Sequence, residues 1–153
     1  MPRPERKSPR LRRYDYAANG TYFVTACTRA RACLFGTVVS DEMKPNRLGR
    51  VIEECWASIP DHFPAVALDA FVVMPNHVHG IVWLPGAGHA PPLPVVIGSF
   101  KSAVSRLAGG PLWQRSFYDR VIRSDSELRA LRQYVTDNPL RWALDRENPA
   151  CRR

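Results

Sequence analysis

Segments rich in β-branched and aromatic residues predict five strands along the chain. Two of them, residues 21–28 and 33–39, are separated by a short basic turn, so we expect them to form a hairpin. Two others, residues 66–74 and 77–84, are apolar at nearly every position, which is typical of central strands. The fifth predicted strand covers residues 116–122.

Three further segments place apolar side chains at the 3.6-residue spacing of a helix. The first covers residues 45–59 and begins with a proline, a residue suited to the first helical turn. The second covers residues 95–108. The third covers about residues 125–138, opens with the capping pattern Ser124-x-x-Glu127 and ends before a proline.

The order of these elements, ββαββαβα, predicts an α+β fold in which helices pack on one face of an antiparallel sheet. The chain has 153 residues, of which 45% are apolar, and this suffices for one hydrophobic core. We therefore expect a single domain over residues 14–149. A flexible basic arm (1–13) precedes it and a short tail (150–153) follows it.

Charge and cysteine usage restrict the partners and the compartment. The net charge of +8 favours polyanions, with nucleic acid first among them. No apolar run approaches the roughly 20 residues that a spanning helix needs, so we expect no membrane partner. The N-terminus lacks the apolar core of a signal peptide, and the four cysteines form no C-x-x-C pair, which favours a reducing cytoplasm.

The N-terminal arm carries six Lys/Arg and three prolines, with too few apolar residues to fix a fold. Such a composition fits two roles equally well. The arm is either a solvated tail or a segment that contacts the phosphates of a nucleic acid.

Two histidines stand one residue apart in the run FVVMPNHVHGIVWLP, which is otherwise typical of a buried strand. Because side chains alternate between the faces of a strand, His77 and His79 project to the same side, with Cβ atoms on the order of 7 Å apart. Two imidazoles so placed can share one cation, although two hydrogen-bonded imidazoles at a strand end would give the same pattern. We expect His62 and His89 to be ordinary exposed residues.

The third predicted helix contains a second group of candidate residues. Tyr134 stands at the margin of its apolar stripe, and Asn138 follows one turn later on the same face. A phenol and an amide would then point in the same direction. A half-buried packing tyrosine followed by an Asn-Pro helix end is the alternative interpretation.

Taken together, these motifs resemble one known family. The segments MPNHVHGIV, WQRSFYDRVIR and LRQYVTDNPLRW are similar, in this order, to the REP-associated tyrosine transposases, which belong to the HUH (His, hydrophobic residue, His) single-strand DNA transposases. The segments YFVTACTRARACLFG and LDRENP fit as well, so that the resemblance covers about residues 14–149. A lone His-x-His is weak evidence, but its combination with Tyr-x-x-x-Asn-Pro is specific.

The resemblance implies a ferredoxin-like or RRM-like fold and an HUH-type tyrosine transposase. His77 and His79 match the metal-binding pair, Tyr134 matches the single nucleophilic tyrosine, and Asn138 falls where a third polar metal ligand is expected. The implied cofactor is a divalent metal ion, Mg²⁺ or Mn²⁺, and a His₂ site would take Mn²⁺ more tightly in vitro. Attack by the tyrosine would leave a 5′-phosphotyrosine and a free 3′-OH, a step that a later hydroxyl can reverse.

The implied substrate is single-stranded DNA folded into a hairpin of a repetitive extragenic palindrome (REP), bound by a monomer or a homodimer. Basic and aromatic residues along the chain provide candidate contacts with such a strand. They are Arg10, Arg12, Arg13, Lys101, Arg106, Trp113, Gln114 and Arg115. For Trp113, packing in the core is the alternative.

Two other functions fit parts of the sequence. A nucleic-acid-binding module that has lost its chemistry would explain the charge, but the retained Tyr134 disfavours it. A metal-dependent phosphodiesterase that uses water would explain the histidines. The sequence offers no obvious general base for that water, and such an enzyme would form no covalent adduct.

Overall fold

The computed structural model describes residues 20–85 and 91–151, which form six strands and four helices. In chain order these are β1 (Gly20–Cys27), β2 (Gly36–Val39), β3 (Glu42–Pro45), α1 (Arg47–Ala57), α2 (Ile59–His62), β4 (Ala67–Met74), β5 (His77–Leu84), α3 (Leu93–Ala108), β6 (Tyr118–Val121) and α4 (Asp125–Asp137). Short 3-10 turns follow β1 and α4. No helix in these residues is long and apolar enough to cross a bilayer.

Four of the strands form an antiparallel sheet in the order β4-β5-β1-β6. Strands β1 and β5 pair along their full length, from Gly20 opposite Leu84 to Cys27 opposite His77. Every residue of β5 except Trp83 is buried. The α+β fold class is confirmed, and β5 is the central strand that its continuous apolar run predicts.

The predicted hairpin between the first two strands is wrong. Strand β1 has β5 on one side and β6 on the other, so neither of its edges is free for β2. After β1 the chain enters a 3-10 turn in which Ala30 and Arg31 have positive φ, and then crosses to the turn after β4, where the Phe35 amide donates to the Pro75 carbonyl. Strand β2 therefore pairs with β3 in a separate two-stranded sheet.

Helices cover both faces of the sheet, whereas the sequence predicts helices on one face only. On one face, even-numbered residues of β5 such as Val78 and Val82 pack with Trp56 of α1 and Phe100 of α3. On the other face, Ile81 packs with Ile122 and with Leu128 of α4, among other residues. A strand that is apolar at consecutive positions needs cover on both sides, because its side chains alternate between faces.

Strand β4 is an edge strand within the described residues, not the central strand that its sequence predicts. Its apolar side chains from Leu68 to Val72 are half-buried, and Val73 and Met74 are fully buried, because helices pack against the strand, α4 among them. Arg132 of α4 donates two hydrogen bonds to the Asp69 carboxylate of β4, from Nε at 2.9 Å and from Nη2 at 2.7 Å. Such a bidentate pair fixes the orientation of the helix as well as its distance from the strand.

Capping residues set the starts of helices α1 and α4. Helix α1 begins after Asn46, whose Oδ1 accepts a hydrogen bond from the Gly49 amide, so the preceding proline ends β3 and does not open the helix as predicted. Helix α4 has the predicted cap: Ser124 Oγ accepts from the Glu127 amide, and the Glu127 carboxylate accepts from the Arg123 amide.

The packing of β5 against α1 leads to a stability prediction at Gly80. A Cβ added there would lie 2.4 Å from Cζ2 of Trp56, a buried ring stacked on Phe71. We expect Gly80→Ala to lower the free energy of unfolding by about 1–3 kcal/mol, as overpacking does, in urea denaturation. Gly98→Ala on α3, where the new Cβ meets nothing within 4 Å, should be neutral or slightly stabilising. Equal stability of the two variants would contradict this packing.

Candidate active site

The two histidines of β5 lie side by side on the face of the sheet that α4 covers. Their ring centroids are 4.7 Å apart with the rings tilted by 72°. His77 is completely buried and His79 is 6% exposed. The strand geometry therefore brings both imidazoles to one place, as the sequence predicts.

The hydrogen bonds of Asn76 determine which nitrogen of His77 is free. The Asn76 Nδ2 group donates to the carbonyls of Arg31 at 3.1 Å and Glu147 at 2.5 Å, which turns Oδ1 toward the imidazole. His77 Nδ1 lies 2.8 Å from that oxygen and must carry the proton that it donates. Its Nε2 then has a lone pair, and it is buried without a hydrogen-bond partner in the described residues.

His79 is held by the neighbouring strand β1. Its Nδ1 is hydrogen-bonded to Thr25 Oγ1 at 2.7 Å, and its ring stacks on Phe23 with centroids 5.2 Å apart. Thr25 is the register partner of His79 across the β1–β5 pair. The ring orientation is therefore fixed by the sheet itself.

Burial keeps both imidazoles neutral. It lowers the pKa of His79 to about 3, with a smaller contribution from repulsion by His77. Burial also lowers the pKa of His77, against the opposing effect of the Asp145 and Glu147 carboxylates. A neutral imidazole offers a lone pair to a metal ion, so the pair is ready to act as ligands at neutral pH.

Helix α4 brings the tyrosine and the asparagine to the same place. The Tyr134 ring meets His79 edge to face, with centroids 5.3 Å apart. Asn138 is buried, and its Nδ2 donates to the Tyr134 carbonyl at 3.0 Å. Asn138 lines the same cleft as Tyr134 and His79.

The donor atoms of this cluster fit a divalent cation. Two of its buried polar atoms, His77 Nε2 and Asn138 Oδ1, have no hydrogen-bond partner in the described residues. Buried polar groups rarely remain unpaired unless a water or an ion completes them. No group of three or more His, Cys, Asp or Glu side chains in residues 20–85 and 91–151 offers a competing metal site.

A cleft of about 410 Å³ opens above these residues, and the segment after α4 forms much of its wall. Arg31 joins this segment to the end of β1: its guanidinium donates to the Arg146 carbonyl and lies 3.4 Å from a Glu147 carboxylate oxygen. The lining residues are Thr25, His79, Tyr134, Asn138, Arg141, Leu144, Asp145, Arg146 and Glu147. Arg141 and the residues from Leu144 to Glu147 belong to the stretches LRQYVTDNPLRW and LDRENP that carry the family resemblance, but none of them was predicted as a site residue, since no periodicity marks the segment.

The other candidate contacts lie along a second, more open groove of about 680 Å³ beside the end of α3. Arg106 and Arg115 are exposed there, whereas the Lys101 ammonium donates to the carbonyls of Gln114 and Ser116, each at 2.9 Å. The side chain of Gln114 donates to the Thr28 carbonyl.

The remaining candidate residues lie as follows. Trp113 is 6% exposed and packs against Phe35 and Phe100. This corresponds to the alternative interpretation of Trp113 as a core residue. His62 is exposed at the end of α2, as expected. The arginines at 10, 12 and 13 and the histidine at 89 lie outside the described residues.

Comparison with known proteins identifies one sequence relative of similar length and solved structures with a similar fold. No family model matches it. A Haemophilus influenzae protein described as uncharacterized is 33% identical over an alignment that covers 92% of this chain and 91% of that protein.

Two solved structures share the fold. The structure of a REP-associated tyrosine transposase bound to a REP hairpin has a TM-score of 0.63 at 20% identity, and the match covers 92% of this chain and 74% of that one. A candidate transposase from Deinococcus radiodurans has a TM-score of 0.54 at 19% identity, with 87% and 97% covered. The fold that the sequence resemblance predicts is confirmed.

The buried histidines should resist protonation more than an exposed imidazole does. We expect the ring C–H NMR signals of His79 to stay unchanged from about pH 7.5 to about pH 5.5, because burial lowers the pKa of this residue to about 3. Burial also lowers the pKa of His77, so its midpoint should lie below that of an exposed imidazole. The unfolded chain binds the His79 proton below about pH 6.5 and the folded chain does not, so His79 alone should make stability fall with pH by on the order of 1 kcal/mol at about pH 5.5. A His79 midpoint above about pH 6 would contradict this.

Asn76 should be more important for stability than its place in a turn suggests. Asn76→Ala leaves His77 Nδ1 and two backbone carbonyls without their partner, so we expect a loss of about 2–4 kcal/mol in urea denaturation. Thr25→Val keeps the shape of the side chain and removes a single bond to His79, and it should cost about 1 kcal/mol. If the two variants were equally stable, Asn76 would not hold these groups together.

Proposed function

We propose a function from one premise: the chain belongs to the family of its Haemophilus influenzae relative and has the fold of a REP-associated tyrosine transposase. The proposed activity is that of an HUH-type transposase, which cleaves and rejoins single-stranded DNA near hairpins through a 5′-phosphotyrosine. One observation carries the proposal. Tyr134, His79 and Asn138 line a single cleft, and His77 is buried beside His79, with both imidazoles neutral and the amide oxygen unpaired within the described residues.

His77, His79 and Asn138 would hold the metal ion. Imidazole nitrogen favours Mn²⁺ over Mg²⁺, whereas the amide oxygen and waters suit both ions. When bound, the ion supplies positive charge to the scissile phosphate and to the departing oxygen. The ordered hydrogen bonds of Asn76 and Thr25 orient the two rings before any ion arrives, as outer-shell partners do in metal sites.

Tyr134 would be the nucleophile. Its ring packs edge to face against His79 and Phe23, and the Arg132–Asp69 pair holds its helix on the sheet. As the phenolic oxygen bonds to phosphorus, the bond from phosphorus to the 3′ oxygen breaks. The chain keeps the phosphoryl group as an ester of similar energy, so that a later 3′-hydroxyl can take it back without a nucleotide cofactor.

The DNA would follow the exposed basic residues from the cleft toward the second groove. Arg106 and Arg115 are exposed and available for phosphate contacts, and Gln114 is half-buried with its side chain bonded to the Thr28 carbonyl. Lys101 and Trp113 support this surface from within, because their polar groups are engaged with the backbone. The REP hairpin in the related structure supports a hairpin as the ligand here, with Arg10, Arg12 and Arg13 as further proposed contacts.

One observation favours a second candidate function, a metal-dependent phosphodiesterase that uses water. The sequence offers no obvious general base, but the structure brings two carboxylates, Asp145 and Glu147, into the lining of the cleft. A carboxylate within reach of a water molecule can act as its base. The two reactions differ in their product, because water leaves a free 5′-phosphate and the tyrosine leaves a protein–DNA adduct.

The decisive experiment is the capture of that adduct. The protein is incubated with Mn²⁺ and a labelled single strand from palindromes that flank its gene, and a slower, label-bearing band that survives SDS is expected. Mass spectrometry should place the 5′-phosphorylated nucleotide on Tyr134. Tyr134→Phe should remove the band but keep the affinity for the hairpin within about threefold, since it deletes one hydroxyl and retains the ring.

The metal ligands supply the matched controls. Titration calorimetry with Mn²⁺ should show binding to the wild type and to Tyr134→Phe, and none to His77→Ala or His79→Ala, which should also form no adduct. A Tyr134→Phe protein that still cleaves the strand and leaves an unattached 5′-phosphate would establish the water-dependent phosphodiesterase. Hairpin binding without cleavage by the wild type would favour a binding module.

A further inference from the structure

Arg141 lies next to Tyr134, the proposed nucleophile, and is not one of the proposed metal ligands. Its guanidinium carbon is 5.8 Å from the centroid of the Tyr134 ring. It lines the same cleft as Tyr134, His79 and Asn138. A cation at this place is within reach of whatever group the tyrosine attacks.

The backbone fixes the position of Arg141 relative to Asn138 and Tyr134. Its amide donates to the carbonyls of Asp137 and Asn138, each at 3.1 Å, so a helical turn continues past the end of α4. Arg141 therefore follows Asn138 by one turn and Tyr134 by two, on the side of the chain that faces the cleft. The same helix that places the tyrosine also places this cation.

The guanidinium of Arg141 is available for a ligand. Arg31, Arg120 and Arg132 each pair with a carboxylate. Arg141 is exposed, and within residues 20–85 and 91–151 its guanidinium forms no ion pair. Its contact with the Tyr134 ring holds the cation close to the phenol without using its N–H groups, which remain free to donate.

We propose that Arg141 binds the scissile phosphate and stabilises the charge that develops on it, an inference that rests on the proposed tyrosine chemistry. A planar guanidinium presents paired N–H donors that match two non-bridging phosphate oxygens. As the Tyr134 oxygen–phosphorus bond forms and the bond to the 3′ oxygen breaks, the phenolic proton passes to water and the 3′ oxygen takes one from water. Arg141 exchanges no proton and donates to the non-bridging oxygens throughout.

The first test measures adduct formation in a single turnover at saturating hairpin DNA with Mn²⁺. Arg141→Gln should slow the step by about 100-fold or more, the usual effect of losing a preorganised donor at a transition state. Arg141→Lys keeps the charge but loses the fork, and it should lie between Gln and the wild type. Arg129→Gln removes an exposed cation from the same helix outside the cleft and should stay within about twofold of the wild type. An unchanged rate for Arg141→Gln would overturn the proposal.

The second test does not depend on cleavage. A set of hairpin strands is prepared, each with one phosphate replaced by an uncharged methylphosphonate at a different position. The affinity of the Tyr134→Phe protein for each of these strands is then measured. One position near the cleavage site should weaken binding by about tenfold, and that loss should disappear when Arg141→Gln is added, while the effects of the other positions persist. Identical profiles with and without Arg141 would overturn the proposal. If the contact is found but the wild type forms no adduct, the tyrosine chemistry fails and the phosphate contact remains.

Discussion

The candidate site depends on the docking of α4 onto one face of β5. Odd-numbered residues of this strand face the helix, so that Ile81 packs under it and the two histidines lie beside Tyr134 and Asn138. Apolar burial drives this contact, and the bidentate Arg132–Asp69 pair orients the helix on the sheet. That ion pair also holds the pKa of the Asp69 carboxyl below its usual range, so it stays charged at neutral pH.

Placing polar side chains on a buried face of the sheet costs free energy unless they form hydrogen bonds. Buried imidazoles are costly unless their nitrogens are satisfied, and Asn76 and Thr25 each satisfy one nitrogen. The Asn76 amide group also connects the turn before β5 to the segment after α4, because it donates a hydrogen bond to the Glu147 carbonyl. Within the described residues, His77 Nε2 and Asn138 Oδ1 remain without a hydrogen-bond partner, and both atoms belong to the proposed metal ligands.

The cleft carries charges of both signs, although the chain as a whole is strongly basic. Arg141 and Arg146 line it together with Asp145 and Glu147, all from the segment that follows α4. A phosphate would meet the arginines, whereas a water molecule would meet a carboxylate as its base. The proposed transposase and the alternative phosphodiesterase thus make use of opposite charges in the same wall of one cleft.

The sequence by itself determined five of the six strands and three of the four helices of the described residues, but not β3 or α2. It also determined the shared face of His77 and His79 and the joint direction of Tyr134 and Asn138, because local periodicity fixes which side chains of one element point together. It also contained the evidence that β5 is covered on both sides, in its consecutive apolar residues. The pairing of the strands and the positions of Arg141, Asp145 and Glu147 in the lining of the cleft were decided by the tertiary structure alone. Those contacts join residues far apart in the chain, and they form only when two separate surfaces bury each other, which no local pattern records.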